Sequence, residues 1–147
     1  MNFELLFEES FQRVIGHGVG ITNKGQQFFA RFYEIFLEAS DEVREKFCHT
    51  DMEMQRSFLK KGVYHLISFY LLRSDNDYLS SIALTHNQNH YDIPPELYDI
   101  WLEALLKAVA ELDPEYRDEL RLAWQIVMTP GILFMKYHYA MPGLKQH

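Results

Sequence analysis

The stretch from Tyr78 to Tyr98, YLSSIALTHNQNHYDIPPELY, decides how this chain is read. Leu79, Ile82 and Ala83 recur at helical spacing, and His86 takes the next place on the same face. An imidazole at the inner edge of an apolar stripe needs a hydrogen bond, a charge or a metal as its companion. Ile93-Pro94-Pro95 then closes one helix and opens another, because proline lacks an N–H and is tolerated only in a first helical turn. His90 lies four residues after His86 and shares its face if the helix continues. A His-x-x-x-His pair can hold zinc, although no third ligand follows at a clear spacing.

Outward from this stretch nearly every segment reads as helix. Phe3, Leu6, Phe7, Ser10, Phe11 and Val14 form one stripe, closed by the glycines of GHGVG at 16–20. Thr22 can cap a second helix whose core face is Phe28, Phe29, Phe32, Tyr33, Phe36 and Leu37. Ser40-Asp41 opens a short helix ending at Phe47, and the loop CHTDM leads to a helix carrying Gln55, Leu59, Gly62, Val63, Leu66 and Ile67. After the proline corner, Tyr98, Trp101, Leu102, Leu105, Leu106 and Val109 repeat at threes and fours. Asp113-Pro114 has the form of a cap with proline at the first helical position, and Pro130-Gly131 predicts a kink or a break in the last helix near Pro130. The expectation is one all-α domain over 1–147, of seven or eight helices with tight corners and a frayed tail at 142–147. Such irregular helices pack at steep angles around a pocket.

Composition narrows the function. A hydrophobic content of 48% with 15% aromatic residues suits a well-packed core, and no window reaches the ~18 uninterrupted apolar residues of a membrane span. The acidic start MNFELLFEES lacks a basic segment followed by an apolar run, so a cytoplasmic location is expected. Cys48 is the only cysteine, which leaves no internal disulfide and no cysteine-based zinc site. A net charge of -7 argues against nucleic acid as a partner.

From about Ile21 to Phe134 the pattern resembles the globin family, and within it the bacterial single-domain globins and the haem domain of flavohaemoglobins. The resemblance rests on T-H-x-x-x-H at 85–90 followed by I-P-x-x-x-Y at 93–98, on Phe47 placed fourteen residues after Tyr33, and on Gln55-Arg56 with Leu59. Gln55 also precedes His86 by 31 residues, close to the family's interval, and the segment after Pro95 is similar to the start of the family's penultimate helix.

The resemblance implies haem b (iron protoporphyrin IX), with His86 as the iron's axial ligand and its other ring nitrogen donating to a backbone carbonyl or to Thr85. Phe47 would stack on the porphyrin, and Leu59, Ile82, Ile93 and Tyr98 would border it. His90 would cover the haem edge or meet a propionate, and Phe58 would be a lid or surface packing. Tyr33 would donate to bound O2, while Gln55 would add a second donor or orient Tyr33 through its carbonyl. Lys46, Arg56, Lys60 and Lys61 are expected around the haem mouth, where some could pair with propionates and the rest form a solvated charged face. Where flavohaemoglobins carry a glutamate on the last helix, this chain has Lys136-Tyr137-His138-Tyr139, so a proximal push toward O–O cleavage is not expected. The function implied is O2 and NO binding or transport, NO dioxygenation served by a separate reductase, or gas sensing read by a signalling partner. The competing expectation is a haem-free globin-fold interaction module, whose mark would be a filled pocket.

Overall fold

A computed structural model of the chain describes residues 1–16, 23–72, 83, 86 and 92–139. Within them the protein is all-α. Six helices follow in order: α1 Phe3–Val14, α2 Asn23–Ala39, α3 Asp41–Lys46, α4 Met52–Leu72, α5 Pro95–Leu112 and α6 Asp118–Tyr139. The count of described helices is therefore lower than the seven or eight expected. Ala83 and His86 are themselves helical, and the rest of the segment predicted around them lies outside the described residues.

The helix ends follow local chemistry. Asn2 Oδ1 accepts the Leu5 N–H at 3.0 Å and opens α1. Gly16, at φ 89°, takes the left-handed turn that closes it, and the N–H groups of Ile15 and Gly16 both donate to the Phe11 carbonyl. Ser40 caps α3 by accepting from the Val43 N–H, and Asp51 Oδ1 caps α4 by accepting from the Glu53 and Met54 N–H groups. Pro94 and Pro95 stand at the N-terminus of α5, as their sequence predicts.

Packing places α2 against α5, and α1, α4 and α5 against α6. The centre of the core is Trp124 of α6, fully buried, with Phe7 edge-on at 4.7 Å and Phe28 stacked at 6.4 Å. Its indole N–H donates to Ser10 Oγ at 2.9 Å, so the one polar atom of the ring is satisfied inside the core.

Of the kink or break expected near Pro130 the break is excluded, and one expectation, a helix start at Pro114, is corrected. No break occurs near Pro130, and α6 runs unbroken from Asp118 to Tyr139 with that proline inside it. A proline in a helix interior costs about 3 kcal/mol. The neighbouring Val127, Met128 and Ile132 are all buried, each contributing roughly 1.5–3 kcal/mol, so packing on both sides of the lesion outweighs it. Gly131 adds to this, because a Cβ there would lie 2.4 Å from Leu66 Cδ2, and its absence lets α4 and α6 approach closely. Nor does Pro114 start a helix. Asp113 terminates α5, Pro114 lies in a turn, and α6 begins four residues later. The Asp113 carboxylate does accept the Glu115 N–H, but it is also held by Ser10 and Arg13 of α1, which fix the turn in place.

Candidate functional site

The helices leave a cavity of about 650 Å³, well within the range of ligand pockets. Tyr33 and Phe36 of α2 form one wall, with Val43 and Lys46 of α3 and Phe47 and Thr50 of the following turn. From α4 come Gln55, Phe58, Leu59, Gly62 and Leu66. His86, Ile93, and Leu97, Tyr98 and Trp101 of α5 close another side, and Ile132 and Met135 of α6 reach it from behind. The lining is predominantly apolar with a few polar groups converging on it, the usual composition of a small-molecule or cofactor site.

Tyr33 belongs to the aromatic face of α2, where the burial of Phe28, Phe29 and Phe32 turns its ring inward. Its side chain is nearly fully buried, edge-on to Phe32 at 5.0 Å and to Phe47 at 6.0 Å. Phe47 is half-buried and also meets Phe36 edge-on at 5.9 Å, so the end of α3 is seated on α2 through aromatic rings. The Tyr33 hydroxyl donates to the main-chain carbonyl of Gln55 at 3.4 Å. That is long for an O–H···O bond, whose common length is about 2.7–2.8 Å. Burial raises the Tyr33 pKa far above its ordinary value, and the contacts with Gln55 and the positive charge of Arg56 offset this only in part. The phenol is therefore a neutral donor with a poorly placed acceptor.

His86 is half-buried on the cavity, and its main-chain carbonyl accepts the Ile93 N–H at 3.0 Å. Tyr98 is a second phenol on the lining whose pKa is raised by burial. Leu59 is buried in the wall, and Phe58, on the lining, is 51% exposed. A Cβ built at Gly62 meets nothing within 4 Å, so open space lies against the α4 backbone at that point.

Thus Tyr33, Gln55, Phe47, Leu59, Phe58, Ile93, Tyr98 and His86, all singled out in the sequence, line one cavity. Ile82, Thr85 and His90 lie outside the described residues. Of the four cations expected at the mouth, Lys46 is on the lining. Lys60 is instead buried, with its ammonium 5.9 Å from the Tyr64 ring and its pKa lowered by desolvation. Leu97, Trp101, Ile132 and Met135 also line the cavity, which sequence reasoning misses. Their share in the cavity depends on how α5 and α6 cross behind it, for which periodicity carries no signal. Gly62 had a readable signal, a glycine inside an otherwise regular apolar helix.

Among the described residues no group of three or more His, Cys, Asp or Glu side chains could hold a metal ion. No described helix is long and apolar enough to cross a membrane.

No protein-family model matches the chain, and no curated protein matches it in sequence. Among solved structures it matches the crystal structure of PA3967 from Pseudomonas aeruginosa PAO1, a protein described as structurally highly homologous to a human haemoglobin. The TM-score is 0.83 and the identity 35%, with 95% of this chain and 99% of that one covered. At that identity and coverage, over an all-α structure with a cavity among its helices, the chain belongs to the globin family.

Proposed function

We propose that the cavity holds haem b and that the protein binds O2 and NO there. The observation that carries this reading is that His86, Tyr33 and Gln55, far apart in sequence, share one largely apolar cavity. The residues present fit the group. His86 would hold the iron through a ring nitrogen. The open space at Gly62 would let a broad planar ring lie close to α4, Phe47 and Leu59 would contact its faces, and Lys46 would meet a propionate at the rim. When bound, haem would supply an iron that takes up O2 or NO reversibly and, with an outside electron donor, supports conversion of NO to nitrate.

The chain's own part is to bind, orient and donate. Tyr33, a phenol whose pKa burial pushes still further above neutrality, donates a hydrogen bond without titrating near neutral pH. Its acceptor at 3.4 Å is weak, and a diatomic ligand carrying partial negative charge would replace it with a bond worth roughly 1.5–3 kcal/mol. Gln55 lines the same cavity and accepts from Tyr33 through its main-chain carbonyl, and its side-chain amide would be the second donor. Ligand binding, NO dioxygenation with a separate reductase and gas sensing all use this same arrangement. The haem-free interaction module would have a filled pocket, and a cavity of about 650 Å³ speaks for the haem reading instead.

Haemin titration of the purified protein, followed by absorption spectra of the ferric, ferrous and oxygenated forms, tests the proposal. A stoichiometric Soret band lost in His86→Ala is the expected result. A protein that stays colourless refutes the cofactor, and loss of the band in His90→Ala instead moves the ligand to His90.

A further inference from the structure

The last turn of α6 is fastened to Asp92, directly before the cavity residue Ile93, and nothing in the ligand site itself requires this. The Tyr139 hydroxyl donates to Asp92 Oδ1 at 2.5 Å. Asp92 sits in the left-handed region at φ 52°, the one described residue other than glycine with positive φ. Aspartate tolerates that conformation better than most residues, but a contact that holds it there still matters. Ile93, directly after it, both lines the cavity and donates its N–H to the His86 carbonyl at 3.0 Å. One turn earlier on α6, Lys136 Nζ meets Asp99 Oδ1 of α5 at 2.6 Å, next to the cavity residue Tyr98.

We propose that Tyr139 and Asp92 form a clasp that positions His86. The clasp holds Asp92 in its left-handed conformation, Asp92 presents the following Ile93 N–H to the His86 carbonyl, and that bond contributes to where the imidazole stands in the cavity. Both members are positioning residues, since neither lines the cavity. The link to iron chemistry rests on the function proposed above, while the clasp itself does not.

Two measurements on the haem-free protein decide the clasp. Tyr139→Phe removes only the hydroxyl, and should speed hydrogen exchange of the Ile93 amide by about tenfold while shifting the NMR resonances of the His86 imidazole. Asp92→Ala should do the same, and Asp92→Asn, which keeps an acceptor oxygen, should restore most of the wild-type behaviour. Unchanged Ile93 exchange or unmoved His86 resonances in Tyr139→Phe overturn the proposal. In the haemin-loaded protein the iron–imidazole stretch of the ferrous form should shift in Tyr139→Phe, and an unmoved band at full loading also overturns it. If the wild type takes up no haemin, the cofactor reading fails and the haem-free measurements alone judge the clasp.

Discussion

Two buried polar regions of this protein are built on opposite terms. At Asp113 both carboxylate oxygens are engaged. Arg13 grips the carboxylate with two bonds of 2.7 and 3.0 Å, Ser10 donates at 2.6 Å, and the Glu115 N–H donates at 2.9 Å. Ser10 in turn accepts from Trp124, the largest side chain of the core. In the cavity, Tyr33 has a single acceptor at 3.4 Å, and its ring faces open volume. The first arrangement joins α1 to the α5–α6 turn and leaves nothing for a ligand. The second leaves a donor under-used in a space large enough for a cofactor. A satisfied buried network stabilises a fold, whereas a donor with a poor partner is ready to exchange it.

The sharpest way to break this contrast is Asp113→Ala. It leaves Arg13 with only its longer contact to Glu115 at 3.5 Å and Ser10 without its acceptor, so urea unfolding should show a loss of about 2 kcal/mol. Haemin affinity of the protein that remains folded should not change. The same carboxylate gives a pH signature. Burial pushes its pKa up, but the bonds from Arg13, Ser10 and the Glu115 N–H more than offset that and hold it below the ordinary value. A depressed native pKa means the contribution is complete above the unfolded-state value of about 3.9 and is lost as pH falls through the native value. Acid unfolding below about pH 4 should therefore be shallower in Asp113→Ala than in the wild type.

On the cavity side, Tyr33→Phe should speed O2 dissociation at least about tenfold, measured by stopped flow, while changing stability by less than about 1 kcal/mol. A large stability loss would mean that the Tyr33 hydroxyl serves the fold as much as the Asp113 carboxylate does, and the contrast would collapse. The smallest effect expected is from Gln55→Leu, a few-fold faster dissociation of the same sign. Its main-chain carbonyl survives the substitution, so the bond from Tyr33 should persist. An unchanged rate would place the Gln55 amide outside ligand contact.

Much of this is legible in the chain itself. The aromatic stripe of α2, the cap at Ser40 and the proline opening of α5 are local, and local chemistry is written in neighbouring residues. Interval matching then brought Tyr33, Phe47, Gln55, Leu59 and His86 to one cavity. Other features were not legible because they join distant segments. Asp113 looked like a helix cap, and its partner Arg13 is 100 residues away. Lys60 looked like a solvated charge until the packing around Tyr64 buried it.

Periodicity and capping, which act over three or four residues, were enough to set where most of the described helices form and which face of each is apolar, but not where α6 starts. How α4 and α6 approach at Gly131, whether Pro130 breaks its helix, and how much space remains between Tyr33 and His86 depend on contacts between those faces. Those contacts exist only once the chain has folded, because crossing geometry is a property of pairs of helices and no single helix encodes it.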